Sequence, residues 1–195
     1  MLRRCGWVTD DPIYISYHDE EWGVPVYEDD RYLFEMLSLE GAQAGLSWIT
    51  ILKRRENYRE AFDHFYPEIV ATYSDGKVES LLLNEGIIRN KLKINSVINN
   101  AHRCIEVAKE FGSFHNYIWS FVDGQPIIHS WEDDKEIPAY NDLSEKMSKD
   151  MKKRGFRFVG PTICYSFMQA IGMINDHTQQ CFLYHGNQQN SEGNL

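Results

Sequence analysis

The chain predicts an all-α protein, and three features of its 195 residues carry that prediction. Ile94, Val97, Ile98, Ala101, Ile105 and Ala108 recur at three-four spacing, which marks one apolar helix face. Pro161 opens a nearly unbroken apolar run to Ala170 or Ile171, read as a buried central helix with proline in its first turn. Few runs alternate with the two-residue period of a strand. No repeat or low-complexity linker divides the chain, so it reads as one domain, or two lobes sharing a core, long enough to bury a sizeable interior.

In chain order, residues 1–27 show no helical period. They hold Cys5, Trp7, Tyr14, Tyr17, His18 and Trp22, too rich a set for a loose tail, and are predicted to form an ordered arm. A helix begins near Asp29 or Asp30, with Leu33, Met36 and Leu37 on its apolar face. From Trp48, the positions Ile51, Leu52, Tyr58 and Phe62 predict an amphipathic helix, and Pro67 suits the first turn of a short one. Ser74 or Asp75 caps the segment of Val78, Leu81 and Leu82, which Gly86 ends. The long helix of Ile94 to Ala108 follows, then one from Ser113 to Val122 closed by Gly124. Residues 124–140, with Pro126 and Pro138, read as a loop with room for a short extended piece. Asp142 and Glu145 make a capping-box pattern before Leu143, Met147 and Met151, and Gly155 is the stop. Residues 186–195 are polar and predicted to be a disordered tail.

Composition excludes several classes. At 43% apolar and 25% charged residues, this is an ordinary globular composition, and no apolar run approaches the ~20 residues of a membrane span. Met1 to Cys5 carry arginines with no apolar stretch behind them, so no signal peptide is expected and the chain is predicted to be cytoplasmic. There, four cysteines favour thiols or metal ligands over disulfides. The net charge of −9 argues against a uniformly nucleic-acid-binding surface, yet two basic stretches stand out. One runs over residues 146–157; the other includes Arg89, Lys91, Lys93, Arg103 and Lys109.

The chain is organised around Leu39 to Trp48. Helical spacing from Leu33, Met36 and Leu37 puts the Glu40 carboxylate on their buried stripe, where a charge is costly unless paired, protonated or facing a cavity. Small residues and two glycines then end the helix and allow close approach to a ligand, and Trp48 opens the next helix. Spacing by itself leaves open a solvated helix end with Trp48 in the core.

Two further constellations carry chemistry. The turn Asn84 to Lys91 joins a helix ending at Gly86 to a basic helix, so its backbone N–H groups could hold a phosphate, with Arg89 and Lys91 adding charge. A plain connection with Ile87 and Ile88 packed inward is the alternative. His177 and Cys181 would share one helical face, and with Cys5 and His18 they could complete a tetrahedral zinc site. Spacing across the chain does not show that the four meet, while Cys104 and Cys164 read as core.

From about Arg4 to Tyr184 the chain resembles the bacterial 3-methyladenine DNA glycosylase I family, a branch of the helix-hairpin-helix glycosylases. The resemblance rests on motifs in the right order. They begin with Arg4-Cys5-Gly6-Trp7-Val8, Ser16-Tyr17-His18-Asp19 and Glu21-Trp22-Gly23-Val24-Pro25. Leu39 to Trp48, Gly86-Ile87-Ile88-Arg89 and Arg154 to Gly160 follow, leading to His177. It implies a helix-hairpin-helix glycosylase fold, with one domain over residues 1–185 whose two helical lobes flank a base pocket. It implies Cys5, His18, His177 and Cys181 as ligands of one structural zinc, joining the N-terminal arm to the C-terminus. Glu40, Tyr17 and Trp48 match the residues that hold the alkylated base, with Trp7 beside them. The turn with Gly86, Ile88, Arg89 and Lys91 matches the DNA-anchoring hairpin, and Gly45 and Leu46 the loop that enters the gap left by an extruded nucleotide.

The activity implied is hydrolysis of the N-glycosidic bond of 3-methyladenine in double-stranded DNA. The enzyme would be monofunctional and monomeric, acting at the nucleoid of a bacterial cytoplasm without a membrane. Most helix-hairpin-helix glycosylases carry a catalytic Asp after the hairpin, and some a lysine nucleophile within it. This family is described as lacking the Asp, and the hairpin here has no such lysine. Two other functions remain open at this stage: a non-catalytic DNA-binding module, and a glycosylase for other damaged bases.

Overall fold

The computed structural model describes residues 2–184. The tail expected over residues 186–195 lies outside the described residues. The prediction of a helical protein holds, and the first of several local departures comes at the very start. Residues expected to be an aperiodic arm contain helix α1 (Pro12–Glu20). Asp11 caps it by accepting from the Ile13 N–H, and Pro12 occupies its first turn. Its periodicity is hidden because its buried residues are Tyr17 and His18, neighbours that point to different partners.

Helix α2 (Asp30–Gln43) starts at the Asp29 cap, whose carboxylate accepts from the Tyr32 N–H at 2.8 Å. It does not stop at the small residues as expected but runs three residues past Glu40. Gly41 suits a helix here because a Cβ would come within 3.3 Å of the Phe158 Cβ. The single helix predicted from Trp48 is two, α3 (Trp48–Leu52) and α4 (Arg55–Ala61). The break turns Arg55 inward, where Nε meets Glu35 at 2.7 Å and Nη1 meets Glu21 at 2.8 Å. Apolar spacing gave no sign of that buried charge.

Short α5 (Pro67–Val70) precedes α6 (Asp75–Leu83), capped by Ser74. Helix α7 (Lys91–Phe111) is capped by Asn90 and ends at Gly112, whose φ of 89° is left-handed. Helix α8 (Phe114–Trp119) continues as one 3₁₀ turn to Val122. The extended piece in the loop is β1 (Ile127–Ile128), paired in parallel with β2 (Ile174–Asn175), Ile127 opposite Ile174. Between them lie α9 (Asp142–Lys153) and α10 (Pro161–Ala170). The capping box of α9 is made by Asn141 and Ser144, not Asp142 and Glu145. Asn141, one residue earlier, is the last with extended backbone, so its side chain meets the Ser144 N–H.

The core centres on α2 and α10. Leu33, Phe34 and Met36 on α2 and Cys164, Phe167 and Met168 on α10 are fully buried. Among the described residues, no helix is long and apolar enough to cross a membrane.

Candidate active site and metal centre

The packing of α1, α2, α3 and α10 leaves a cavity of about 500 Å³. Glu40 of α2 faces it, with Tyr17 of α1, Trp48 at the start of α3, Trp7 of the arm and Gln169 of α10. Glu40 is 4% exposed, and its side chain makes no hydrogen bond or ion pair among the described residues. Burial alone pushes its carboxyl up to about 8. The Tyr17 phenol is raised as well, first by burial and then by Glu40. The Tyr17 ring lies 5.6 Å from Trp48 and 6.3 Å from Trp7. The indole N–H groups of both Trp7 and Trp48 are buried without a partner among the described residues. The aromatic walls thus carry two unpartnered donors, the unpaired Glu40 carboxyl and the Asp134 Oδ1, also buried without a partner among the described residues, a set that suits a flat cation bearing hydrogen-bonding edges.

Beside it, Cys5, His18, His177 and Cys181 are all buried, with their donor atoms within 4.8 Å of one another. His177 and Cys181 do not share a helix, as spacing had suggested; they lie in the irregular segment after β2. The grouping survives because β2 delivers His177 against Cys5 and a turn brings Cys181 back, its N–H donating to the Thr178 carbonyl. Cys181 Sγ lies 3.5 Å from His18 Nε2 and from His177 Nδ1, and Cys5 Sγ lies 3.6 Å from His177 Nδ1. The remaining ring nitrogens are engaged outside the cluster: His18 Nδ1 with Asp19 at 2.7 Å, and His177 Nε2 with the Trp22 carbonyl at 3.1 Å. Asp19 is fixed in turn by Arg4, whose guanidinium holds that carboxyl below its usual range.

The turn between α6 and α7 is tightly built. Asn84 Oδ1 accepts from the Gly86 N–H at 2.8 Å, and the Ile88 N–H donates to the Tyr58 hydroxyl at 3.1 Å. A Cβ on Gly86 would stand 2.9 Å from the Asn57 Cβ, so that position takes glycine for lack of room. Ile87 is buried, while Arg89 and Lys91 are exposed. Gly45 has a φ of 78°, and Leu46 beside it is 40% exposed, at the rim where Gln43 and Ser47 line the cavity.

A family model described as methyladenine glycosylase matches residues 7–184. The chain belongs to the methyladenine glycosylase family. It is 51% identical over 186 residues to DNA-3-methyladenine glycosylase 1 of Escherichia coli (strain K12), covering 95% of this chain and 99% of that protein. A solved 3-methyladenine DNA glycosylase I shares 53% identity at a TM-score of 0.91, covering 93% of this chain and 100% of the other. A variant of a 3-methyladenine DNA glycosylase I, solved in complex with 3-methyladenine, shares 36% identity at a TM-score of 0.90, covering 93% of this chain and 97% of that one.

Within this methyladenine glycosylase, the expected pocket residues Glu40, Tyr17, Trp48 and Trp7 line one cavity, and the four expected ligands form one cluster. Sequence reasoning missed Ser166 and Gln169, which also line the cavity. They are two polar residues three apart on one face of the mostly apolar α10, and that interruption was the available signal. Asp134, which opens a single 3₁₀ turn (Asp134–Glu136) in the aperiodic stretch 124–140, gave none; it lines the same cavity and accepts from the Gly6 N–H.

Proposed function

We propose that the protein hydrolyses the N-glycosidic bond of 3-methyladenine in double-stranded DNA and leaves an abasic site. Glu40 carries this reading, as a buried carboxyl without a protein cation facing an aromatic cavity. Methylation at N3 gives adenine in DNA a formal positive charge, which supplies the missing partner. The ring faces of Trp7, Tyr17 and Trp48 favour the same charge, and family membership supports the same substrate class. The target base is stacked in the duplex, so it must be extruded into the cavity at a cost of roughly a few kcal/mol.

Departure of the base neutralises its charge, so no strong general acid is required. A carboxylate that holds the cation better than the neutral leaving base works against departure. Glu40 therefore selects and positions the base more than it accelerates the chemical step. Incubation with methylated duplex should liberate 3-methyladenine well ahead of 7-methylguanine or an oxidised purine. Duplex binding with no base released would make the chain a DNA-binding module, and a different base released would correct the substrate.

Zinc fits the donor cluster. Zn–S and Zn–N bonds of ~2.3 and ~2.0–2.1 Å in a tetrahedron put S and N ~3.6 Å apart, close to the three sulfur–nitrogen separations of 3.5 and 3.6 Å. His18 would bind through Nε2 and His177 through Nδ1, each ring oriented by its outer partner. Four protein ligands leave no open position, so the metal would supply only a crosslink between the N-terminal arm and the C-terminal segment. Elemental analysis is expected to find one zinc per chain. Cys5→Ala or His177→Ala should lower metal content and thermal midpoint together, and protein prepared without chelator that holds no zinc would remove the assignment.

The turn at residues 84–91 is read as the helix-hairpin-helix that grips the phosphate backbone through its N–H groups, with Ile88, Arg89 and Lys91, while Gly45 and Leu46 fill the gap behind the extruded nucleotide. Gly86→Val should distort the turn against Asn57 and weaken binding to all duplexes alike. Arg89→Ala or Lys91→Ala should lower the salt slope of binding by about one unit per lost phosphate contact. Slopes equal to the parent's would show that neither side chain makes such a contact.

A further inference from the structure

Lys93 lies in the first turn of α7, where a basic side chain would be expected to reach outward to phosphate. It turns inward instead. Its Nζ donates to the Ala42 carbonyl at 2.8 Å and to the Ala44 carbonyl at 2.6 Å. Those carbonyls close the C-terminal end of α2, whose last turn has no basic residue of its own. A cation is favoured there by the helix dipole and by unmet acceptors. Other hydrogen bonds of residues 42–47 stay local: Ala44 N–H to Gly41, Leu46 N–H to Gln43, and the Ser47 hydroxyl to Thr50. Among the described residues, Lys93 is thus the one side chain from a distant element that bonds this segment. Gly45 within it is open around its α-carbon, with no atom within 4 Å of a built Cβ. The segment therefore has little else to hold its shape. It joins Glu40 to Leu46 and Trp48, while Lys93 itself stands two residues after Lys91 at the end of the α6–α7 turn.

We propose that Lys93 is a positioning residue that locks the 44–47 loop to the start of α7, so that the turn gripping the backbone and the loop filling the gap act as one rigid body. The proposal rests on the glycosylase reading above. With the tie in place, contact of the turn with phosphates places Leu46 at the target step without a separate ordering of the loop. Without it, the loop must be ordered at each encounter, and that cost falls on extrusion alone. The base cavity and the outward-facing cations are untouched by the change. Two charge-assisted hydrogen bonds to backbone carbonyls are a strong enough tie for this purpose.

The test compares the parent with Lys93→Met, which keeps the apolar stem, and Lys93→Arg, which keeps charge and donors. Lys93→Gln, retaining one donor, serves if the Met variant folds poorly. Excision of 3-methyladenine from methylated duplex under single-turnover conditions is expected to fall roughly tenfold to a hundredfold in Lys93→Met and to recover in Lys93→Arg. Binding of free 3-methyladenine and of undamaged duplex should stay within about twofold, with the salt slope unchanged. Three results would overturn the proposal: excision at the parental rate, a salt slope lowered by about one unit, which marks a phosphate contact, or loss of free-base binding in step with excision. If the parent itself binds duplex but releases no base, the glycosylase reading fails first and the proposal falls with it.

Discussion

Glu40→Gln is expected to weaken capture of 3-methyladenine DNA, by up to roughly tenfold at pH 7 and more strongly at pH 9, and to flatten its pH dependence, while much of the saturated cleavage rate survives. The substitution keeps the size and one acceptor but removes the charge. With the Glu40 carboxyl of the free protein near 8, only a minority of molecules carry the anion at neutral pH. The fixed cation of the methylated base binds that anion, so capture requires loss of the Glu40 proton. Affinity for damaged duplex should therefore rise with pH, by up to tenfold per unit below about 8, and level off above it. A charge-assisted hydrogen bond contributes ~1.5–3 kcal/mol, and at pH 7 deprotonation offsets ~1.4 kcal/mol of this. The gap between parent and variant should accordingly widen from pH 7 to pH 9. Binding of undamaged DNA should change little. Saturated cleavage reduced to background, with damaged-duplex affinity intact, would make Glu40 a chemical catalyst and overturn its assignment here.

The same carboxyl has a cost in stability. Its folded value of about 8 lies above the ordinary 4.5, so unfolding releases a proton between those pH values and stability falls as pH rises through that window. Glu40→Gln removes that loss, on the order of 3 kcal/mol at pH 7. Its thermal midpoint should exceed the parent's at pH 7 to 8 and converge toward it near pH 4.

Much of this site was legible because helical spacing is a geometric statement. The position of Glu40 relative to Leu33, Met36 and Leu37 determines its face, and the structure buries it there. The metal cluster was not legible in that way. Cys5 and His18 meet His177 and Cys181 through the turn after β2, and a contact across 160 or so residues leaves no trace in local pattern; only the resemblance supplied it. The break before Arg55 stayed hidden for another reason. Periodicity records apolar faces, whereas that break serves a buried ion pair with Glu35. The inward turn of Lys93 was equally hidden, since a lysine reads the same in sequence whether it reaches a phosphate or two carbonyls.

Trp48→Ala should impair capture of the damaged base further still. Stacking on an extruded base is worth ~1–3 kcal/mol, and the ring face adds up to ~2 kcal/mol toward a desolvated cation, so a loss centred near a hundredfold, within a range of roughly fivefold to a few thousandfold, is expected. The indole also carries a buried N–H without a partner. Trp48→Phe separates the two contributions: it keeps a ring face toward Tyr17 and removes the donor. If the idle N–H serves an acceptor on the base edge, Trp48→Phe should fall between parent and Ala in affinity for damaged duplex, with little change for undamaged duplex. If it serves none, Trp48→Phe should leave capture near the parental value, while in either case removing a donor unpartnered in the free protein should raise the thermal midpoint. Capture by Trp48→Ala equal to the parent's, in a variant shown to be folded, would mean that the base does not lie against this ring. The aromatic wall would then be part of the core rather than of the site.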